Sequence, residues 1–302
     1  MKIKILLSTF NGARYLREQL DSLLRQSYQD VVVDVRDDGS TDDTCQILRE
    51  YAGRDSKIHV VYGENLGVSG SFLRLLRDAG GDHDLLAFCD QDDIWLPDKI
   101  RNAVDTMATE DHRAPLLYCS RYEFVDEGLR RVGVSRVPRR VGFGNALVEN
   151  IAAGCTIVIN QRARALILSR NPGHIAIHDW WFYMIVSALG KVLYDERVNI
   201  RYRQHAGNVI GGTPVFFRSV YRRAKEFFRS GKDAFGVGDQ AIEFFRCYGP
   251  LLNHADGCTI RRFIESRKTV LSRFRYSMTM DVWRQSIVDT AILRVLILLG
   301  YY

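Results

Sequence analysis

Leu85 to Trp95 reads L-L-A-F-C-D-Q-D-D-I-W: five apolar residues, three carboxylates within four positions, and then an aromatic return to the interior. An apolar run that short, cut off by a polar cluster, predicts a strand, Asp84 to Cys89. Asp90, Gln91, Asp92 and Asp93 would then lie on the loop at its carboxyl end. The same grammar repeats upstream. Ile3 to Thr9 is an apolar run ending at Phe10-Asn11-Gly12; Val31 to Val35 ends in Asp37-Asp38-Gly39-Ser40-Thr41-Asp42; Ile58 to Tyr62 gives a third strand. Helical spacing fills the gaps, with Tyr15, Leu16, Leu20, Leu23 and Leu24 on one stripe, a helix from Asp43 to Tyr51 capped by Ser40 or Thr41, and another from Val68 to Ala79. Strands and helices alternating in this way predict an α/β sheet, largely parallel with right-handed crossovers, that binds ligands at the carboxyl ends of its strands. The polar clusters at Thr9 to Asn11, Asp37-Asp38 and Asp90 to Asp93 all fall at such ends.

Downstream the pattern is less regular. Leu116 to Cys119 and Gly154 to Ile159 read as strands, Arg162 to Ser169 and His178 to Leu189 as helices, and Lys191 to Tyr194 and Asn199 to Tyr202 as closing strands. This divides the chain into 1–110, 111–212 and a tail, 213–302. Of 302 residues 46% are apolar, enough for a substantial core, and no apolar stretch reaches the ~20 residues of a spanning helix. The N-terminus lacks the features of a signal peptide, which places the chain in the cytosol. The six cysteines are far apart and include no C-x-x-C pair, so free thiols are expected rather than a zinc site or a disulfide framework. The net charge of +6 is uneven: Thr213 to Tyr302 holds 15 Lys and Arg against 8 Asp and Glu, whereas the rest is close to neutral.

Crowded carboxylates repel, and hard oxygen ligands suit Mg²⁺ or Mn²⁺, so the Asp90 to Asp93 loop is a candidate cation site. A solvated turn whose acids cap the next helix is the plainer alternative. Asp37-Asp38-Gly39-Ser40 reads as a turn with a cap, or as a carboxylate that accepts from a base N–H and a ribose hydroxyl. No glycine fingerprint or P-loop sits between a strand and a helix, which disfavours dinucleotide and ATP chemistry.

Taken together, the S-T-F-N-G opening, R-D-D-G-S-T-D-D-T, E-N-L-G at Glu64 to Gly67, F-C-D-Q-D-D-I-W and Y-R-Q-H-A-G-N at Tyr202 to Asn208 resemble family-two glycosyltransferases. Within that family the chain most resembles bacterial rhamnosyltransferases of surface polysaccharide synthesis. The resemblance covers about the first 210 residues. It implies a GT-A fold, a mixed, mostly parallel sheet flanked by helices, followed here by C-terminal amphipathic helices. It also implies an inverting, metal-dependent transfer from a nucleotide-diphosphate sugar, dTDP-L-rhamnose being favoured, to a lipid-linked glycan. Carried over by position, Thr9, Asn11, Asp38, Asn65 and Asp90 bind the nucleotide, Asp92 and His205 hold the metal, and Asp179 is the general base. Asp93, an extra acid, shares the metal role or joins Trp180 and Trp181 in contacting sugar or acceptor. Arg201 or Arg203 pairs with the diphosphate. A catalytically silent sugar-nucleotide-binding scaffold and a nucleotidyltransferase are the alternatives.

In the tail, Phe216 to Arg229, Arg261 to Arg275 and Ile287 to Tyr302 set apolar faces against arginine. Such helices suit an anionic membrane surface, here the inner face of the plasma membrane. Packing on the body or on a second copy, in a homo-oligomer, is the alternative. Nothing resembles a nucleic-acid module.

Overall fold

A computed structural model describes residues 1–205 and 236–302, so Asn208 and the expected Phe216 to Arg229 helix lie outside the described residues. The chain divides into two compact units. The first comprises Met1–Val137, Ala152–Leu166 and Val192–Pro214; the second comprises Pro138–Ile151, Ile167–Lys191 and Val215–Tyr302.

In the first unit the expected alternation is present: β1 (Ile3–Thr9), α1 (Ala13–Leu24), β2 (Val31–Asp37), α2 (Thr44–Arg54), β3 (Ile58–Tyr62), α3 (Gly67–Asp78) and β4 (Leu85–Cys89). Two-residue β5 (Ile94–Trp95) and α4 (Lys99–Ala108) follow, then β6 (Leu116–Val125), β7 (Arg131–Val134), β8 (Val158–Asn160), α6 (Gln161–Leu168) and β9 (Lys191–Arg203). The sheet order is β3-β2-β1-β4-β8-β6-β9-β5, with β7 on β6. Strands β3, β2, β1 and β4 pair in parallel, while β8 is antiparallel to both β4 and β6 and β5 is antiparallel to β9. The sheet is therefore mixed, with its parallel half first in sequence. All five residues of β4 are fully buried, as its uninterrupted apolar run requires of a strand covered on both faces. Alternation on α1 buries Tyr15, Leu16, Leu20 and Leu23 but leaves Leu24 exposed.

Two local expectations are corrected. Ser40 and Thr41 do not cap α2; its first N–H, from Thr44, goes to the Asp42 carboxylate at 3.0 Å, and Ser40 turns back to the β2 loop. The two closing strands are one, β9. Its polar middle looked like a break, but Asp195 accepts from the Tyr118 hydroxyl at 2.6 Å and from Arg197 Nε at 2.9 Å, so a strand can carry it inward.

The second unit holds α5 (Phe143–Ala146), α7 (His178–Leu189), α8 (Val237–Tyr248), α9 (His254–Ser266), α10 (Val270–Thr279) and α11 (Ile287–Leu299). Helix α7 is buried at every position from His178 to Val186, as expected of a helix apolar on all sides. Gly144 on α5 allows close packing, since a Cβ there would sit 2.5 Å from both the Asp281 carbonyl and the Trp283 ring. Among the described residues all six cysteines are free, and no helix is long and apolar enough to cross a membrane.

Candidate active site

In the first unit, the loops after β1, β2 and β4 are bound to one another by side chains from each. Gln91 spans two of them: its Oε1 accepts the Phe10 N–H at 2.9 Å and its Nε2 donates to the Phe10 carbonyl at 3.0 Å. Gly12 makes room for that clamp, because a Cβ there would overlap the Gln91 amide. Asn11 adopts a positive φ of 47°, which its short polar side chain tolerates, and accepts the Thr41 N–H at 2.8 Å. The Asn11 N–H donates to Ser40 Oγ at 2.8 Å.

Asp37 is the internal post of this assembly. It is almost fully buried and accepts from the hydroxyls of Thr9 at 3.0 Å and Ser40 at 2.6 Å and from the Ser40 N–H at 2.9 Å. Thr9 therefore directs its hydroxyl at Asp37. Asp38 Oδ1 is paired with Arg36 and accepts the Leu66 N–H at 2.9 Å, while Arg36 also donates to the Glu64 carbonyl at 2.7 Å. This ion pair, buried on both sides, fixes the Glu64 to Gly67 stretch beside the β2 loop. Exposed Asn65 accepts the Gly67 N–H at 3.1 Å.

The acids after β4 occupy three different environments. Asp90 is half-buried. Asp92 Oδ2 lies 2.8 Å from His205 Nε2, so residues 113 positions apart meet as a pair. Asp93 is fully buried: Oδ1 accepts the Arg203 N–H at 3.1 Å, and Oδ2 has no hydrogen-bond partner. Burial and then the charges of Asp92 and Asp90 hold the Asp93 carboxyl well above the usual carboxylate range, against the pull of Cys155 and the Arg203 amide. Contact of Asp93 with sugar or acceptor is thus corrected, because it has no exposed surface to offer. Donor atoms of Asp90, Asp93 and Cys155 all lie within 4.8 Å of one another. Burial pushes the Cys155 thiol well up, so it faces this group as a neutral sulfur. Among the described residues the grouped donor atoms are those of Asp90, Asp93 and Cys155, while Asp92 meets His205 as a separate pair; the orphaned Asp93 oxygen and the carboxylates of this loop are hard oxygen ligands of the kind that suit a divalent cation.

Arg203 braces this loop from beneath. It is 1% exposed; Nε donates to the Asp92 carbonyl at 2.9 Å, Nη1 to the Glu127 carbonyl at 2.7 Å and Nη2 to Glu18, and its guanidinium lies 4.4 Å from the centre of the Tyr15 ring. Arg201 pairs with Glu123 at 2.9 Å. Both guanidinium groups are thus placed on protein acceptors. Deeper still, the Lys99 amine is buried without a hydrogen bond and sits 3.3 Å from the centre of the Trp95 ring; burial lowers it from the usual 10.5 to about 7.

In the second unit, Asp179 is in the first turn of α7, 6% exposed, where the helix dipole favours an anion, and its Oδ1 accepts the Trp180 N–H at 2.6 Å. Burial lowers neighbouring His178 to about 3, which keeps its imidazole neutral. Trp180 Nε1 donates to the Ala146 carbonyl at 2.6 Å. Trp181 is core, 1% exposed and packed on Phe244 and Tyr248, which corrects its expected sugar contact. Gln91, Arg36, Lys99 and Cys155 were not singled out from sequence. Gln91, inside the acidic motif, and Arg36, the first residue of R-D-D-G-S-T-D-D-T, carried a signal that could have found them.

The description Glycosyl transferase family 2 matches residues 4–161, which include the β1, β2 and β4 loops. The dTDP-rhamnosyl transferase RfbG of Shigella flexneri is 30% identical over 228 residues, 72% of this chain and 77% of its own length. The UDP-Glc:alpha-D-GlcNAc-diphosphoundecaprenol beta-1,3-glucosyltransferase WfaP of Escherichia coli is 26% identical, covering 68% of this chain and 79% of its own. Among solved structures, S. aureus TarS 1-349 in complex with UDP-GlcNAc superimposes with a TM-score of 0.58 at 19% identity, over 92% of this chain and 76% of that one, a likeness of fold.

Proposed function

Because the chain belongs to glycosyl transferase family 2, we propose that it transfers L-rhamnose from dTDP-L-rhamnose, with inversion, to a hydroxyl of a lipid-linked surface glycan. The family and its relatives support nucleotide-sugar transfer as the reaction class. The similarity to RfbG favours rhamnose in this reading, and the similarity to WfaP a lipid-linked acceptor. One observation carries the reading: the acidic loop that follows the buried strand β4, within the residues the family matches, pairs Asp92 with His205 and leaves an oxygen of buried Asp93 unpartnered.

In this reading Asp38, Asn11 and Asn65 bind the nucleoside, with the β1 and β2 loops held in place by Asp37 and Gln91. Asp38 Oδ1 is already bound by Arg36 and Leu66, so Oδ2 is the oxygen offered to the base. Asp90, Asp92 and His205 would hold Mg²⁺ or Mn²⁺. Such a cation neutralises charge on the departing diphosphate. Asp179, in the first turn of α7, removes the proton from the acceptor hydroxyl as that oxygen attacks the anomeric carbon. Inversion of a β-linked donor gives an α-L-rhamnoside. The cytoplasmic face of the plasma membrane is where donor and acceptor would meet.

The test is turnover of dTDP-L-rhamnose, with Mn²⁺ and a rhamnose-terminated acceptor, followed by dTDP release and by NMR of the new linkage. An α-linked product, lost in Asp179→Asn with nucleotide binding intact, supports the assignment. Full activity of that variant removes Asp179 from its role. Absence of both transfer and hydrolysis across a panel of nucleotide sugars rejects the enzyme reading in favour of a binding scaffold.

A further inference from the structure

The second unit contains a cavity of about 560 Å³ that the reaction described above does not use. Arg139, Arg140, Arg284 and Arg294 line it, together with Trp283, and no Asp or Glu does. The Arg140 guanidinium lies 4.0 Å from the centre of the Trp283 ring. Arg139, Arg140 and Arg294 form no ion pair with any described carboxylate. Four guanidinium groups around one concave volume repel one another unless an anion lies between them, and their planar forks suit phosphate oxygens.

One wall of the cavity is α11, through Ile287, Thr290, Ala291 and Arg294. These positions recur every three to four residues and form one helical stripe. The adjoining stripe is Val288, Ile292, Val295 and Leu299, exposed by 52%, 38%, 52% and 57% and free of charge. On α10, which packs against α11, Leu271, Phe274 and Met278 are more than half exposed as well. An apolar surface of that extent marks an interaction site, and here it begins at the rim of a cationic cavity. At 13 residues α11 is roughly 20 Å long, too short to span a bilayer.

From this juxtaposition we propose that the cavity binds the diphosphate head of an isoprenoid-linked acceptor, whose hydrocarbon runs along the exposed stripe of α11. The charge favours a diphosphate over a phospholipid headgroup, because several guanidinium groups in one pocket match a compact ligand with two or more negative charges. The cavity is also braced to the helix that carries Asp179. Tyr183 on α7 donates to Asn145 Oδ1 at 2.9 Å; Asn145 Nδ2 donates to the Trp283 carbonyl at 3.1 Å and to Glu149 at 3.0 Å; Glu149 accepts the Gln285 N–H at 2.6 Å. Gln285 Oε1 then accepts the Arg139 N–H at 2.8 Å, and its Nε2 donates to the Arg140 carbonyl at 2.7 Å. The proposal rests on the glycosyltransferase reading and gives its acceptor a binding site.

The experiment titrates the full chain, in the presence of a chelator so that no metal-held diphosphate contributes, with farnesyl diphosphate, inorganic diphosphate, and neutral vesicles with or without phosphatidylglycerol. The expected result is farnesyl diphosphate binding at least tenfold tighter than inorganic diphosphate, and weakened at least tenfold in Arg139→Ala/Arg294→Ala. Both residues are exposed, and circular dichroism and melting report whether the variant is folded. A second variant, Val295→Gln, is expected to weaken farnesyl diphosphate but not inorganic diphosphate. Equal affinity of the wild type and the double variant overturns the proposal. So does equal affinity for the two diphosphates, or tight binding to phosphatidylglycerol vesicles alone. Donor hydrolysis by the unaltered chain, measured separately with Mn²⁺, reports the glycosyltransferase reading. If hydrolysis is present and farnesyl diphosphate does not bind, only the cavity assignment fails; the reverse outcome leaves the cavity and rejects the reaction.

Discussion

Replacing Arg203 by alanine isolates the brace under the acidic loop. The guanidinium is 1% exposed and donates to two main-chain carbonyls, of Asp92 at 2.9 Å and Glu127 at 2.7 Å, besides its pairing with Glu18. Orphaning a buried acceptor costs about 1–3 kcal/mol, and a cavity left by so large a side chain adds to this, so the two carbonyls alone set a loss of roughly 4 kcal/mol. The Glu18 side chain is 52% exposed and contributes little, on the order of 0.5 kcal/mol. At about 2–4 °C per kcal/mol for a chain of this size, Arg203→Ala is expected to melt about 10 °C below wild type, and Glu18→Gln within about 2 °C of it. Arg203→Lys falls between the two, because one ammonium cannot reproduce a planar fork that reaches two separate carbonyls. Thermal unfolding of the three variants is the assay. If Arg203→Ala melts with wild type, or if Glu18→Gln falls as far, the brace is not what holds the loop.

Three further outcomes follow from other contacts. Lys99 is lowered from 10.5 to about 7, so between those values the unfolded chain holds a proton that the folded chain lacks, and its contribution to stability rises with pH; below about 7 it is flat. Urea titrations at pH 7 and pH 9 are expected to show that rise in wild type, up to ~1.4 kcal/mol per pH unit, and its loss in Lys99→Met; equal slopes contradict it. Gln91→Ala breaks the clamp between the β4 and β1 loops and is expected to weaken nucleotide binding several-fold while lowering stability by only about 1 kcal/mol, as calorimetry and melting would report. In Gly144→Ala the new Cβ would meet the Asp281 carbonyl and the Trp283 ring at 2.5 Å, and a stability loss of about 2 kcal/mol is expected; an unchanged denaturation midpoint would show that the 281–283 segment yields freely.

The parallel half of the sheet was legible because each of its strands is a short apolar run ended by polar residues, and burial on both faces leaves no other reading of Leu85 to Cys89. The antiparallel half was less so. β5 has only two residues, and one of the two partners that let β9 carry its polar middle, Tyr118, lies 77 positions away from Asp195 and cannot be paired with it by inspection. In the site, motif positions were readable but their depths were not. Asp90, Asp92 and Asp93 are near-identical on paper; complete burial, and an N–H from Arg203 110 positions away, set Asp93 apart from its neighbours. The two tryptophans after Asp179 differ in the same way, since Phe244 and Tyr248, more than sixty positions onward, make Trp181 core.

The reading turns on the acidic loop holding a diphosphate through a divalent cation, and calorimetric titration with dTDP addresses that directly. The measurement compares wild type with Mn²⁺, wild type with a chelator, and Asp92→Ala with Mn²⁺. Binding in the first and at least tenfold weaker binding in the other two is the expected result. Equal affinity in all three would mean that the carboxylates at the end of β4 do not serve a metal-held donor.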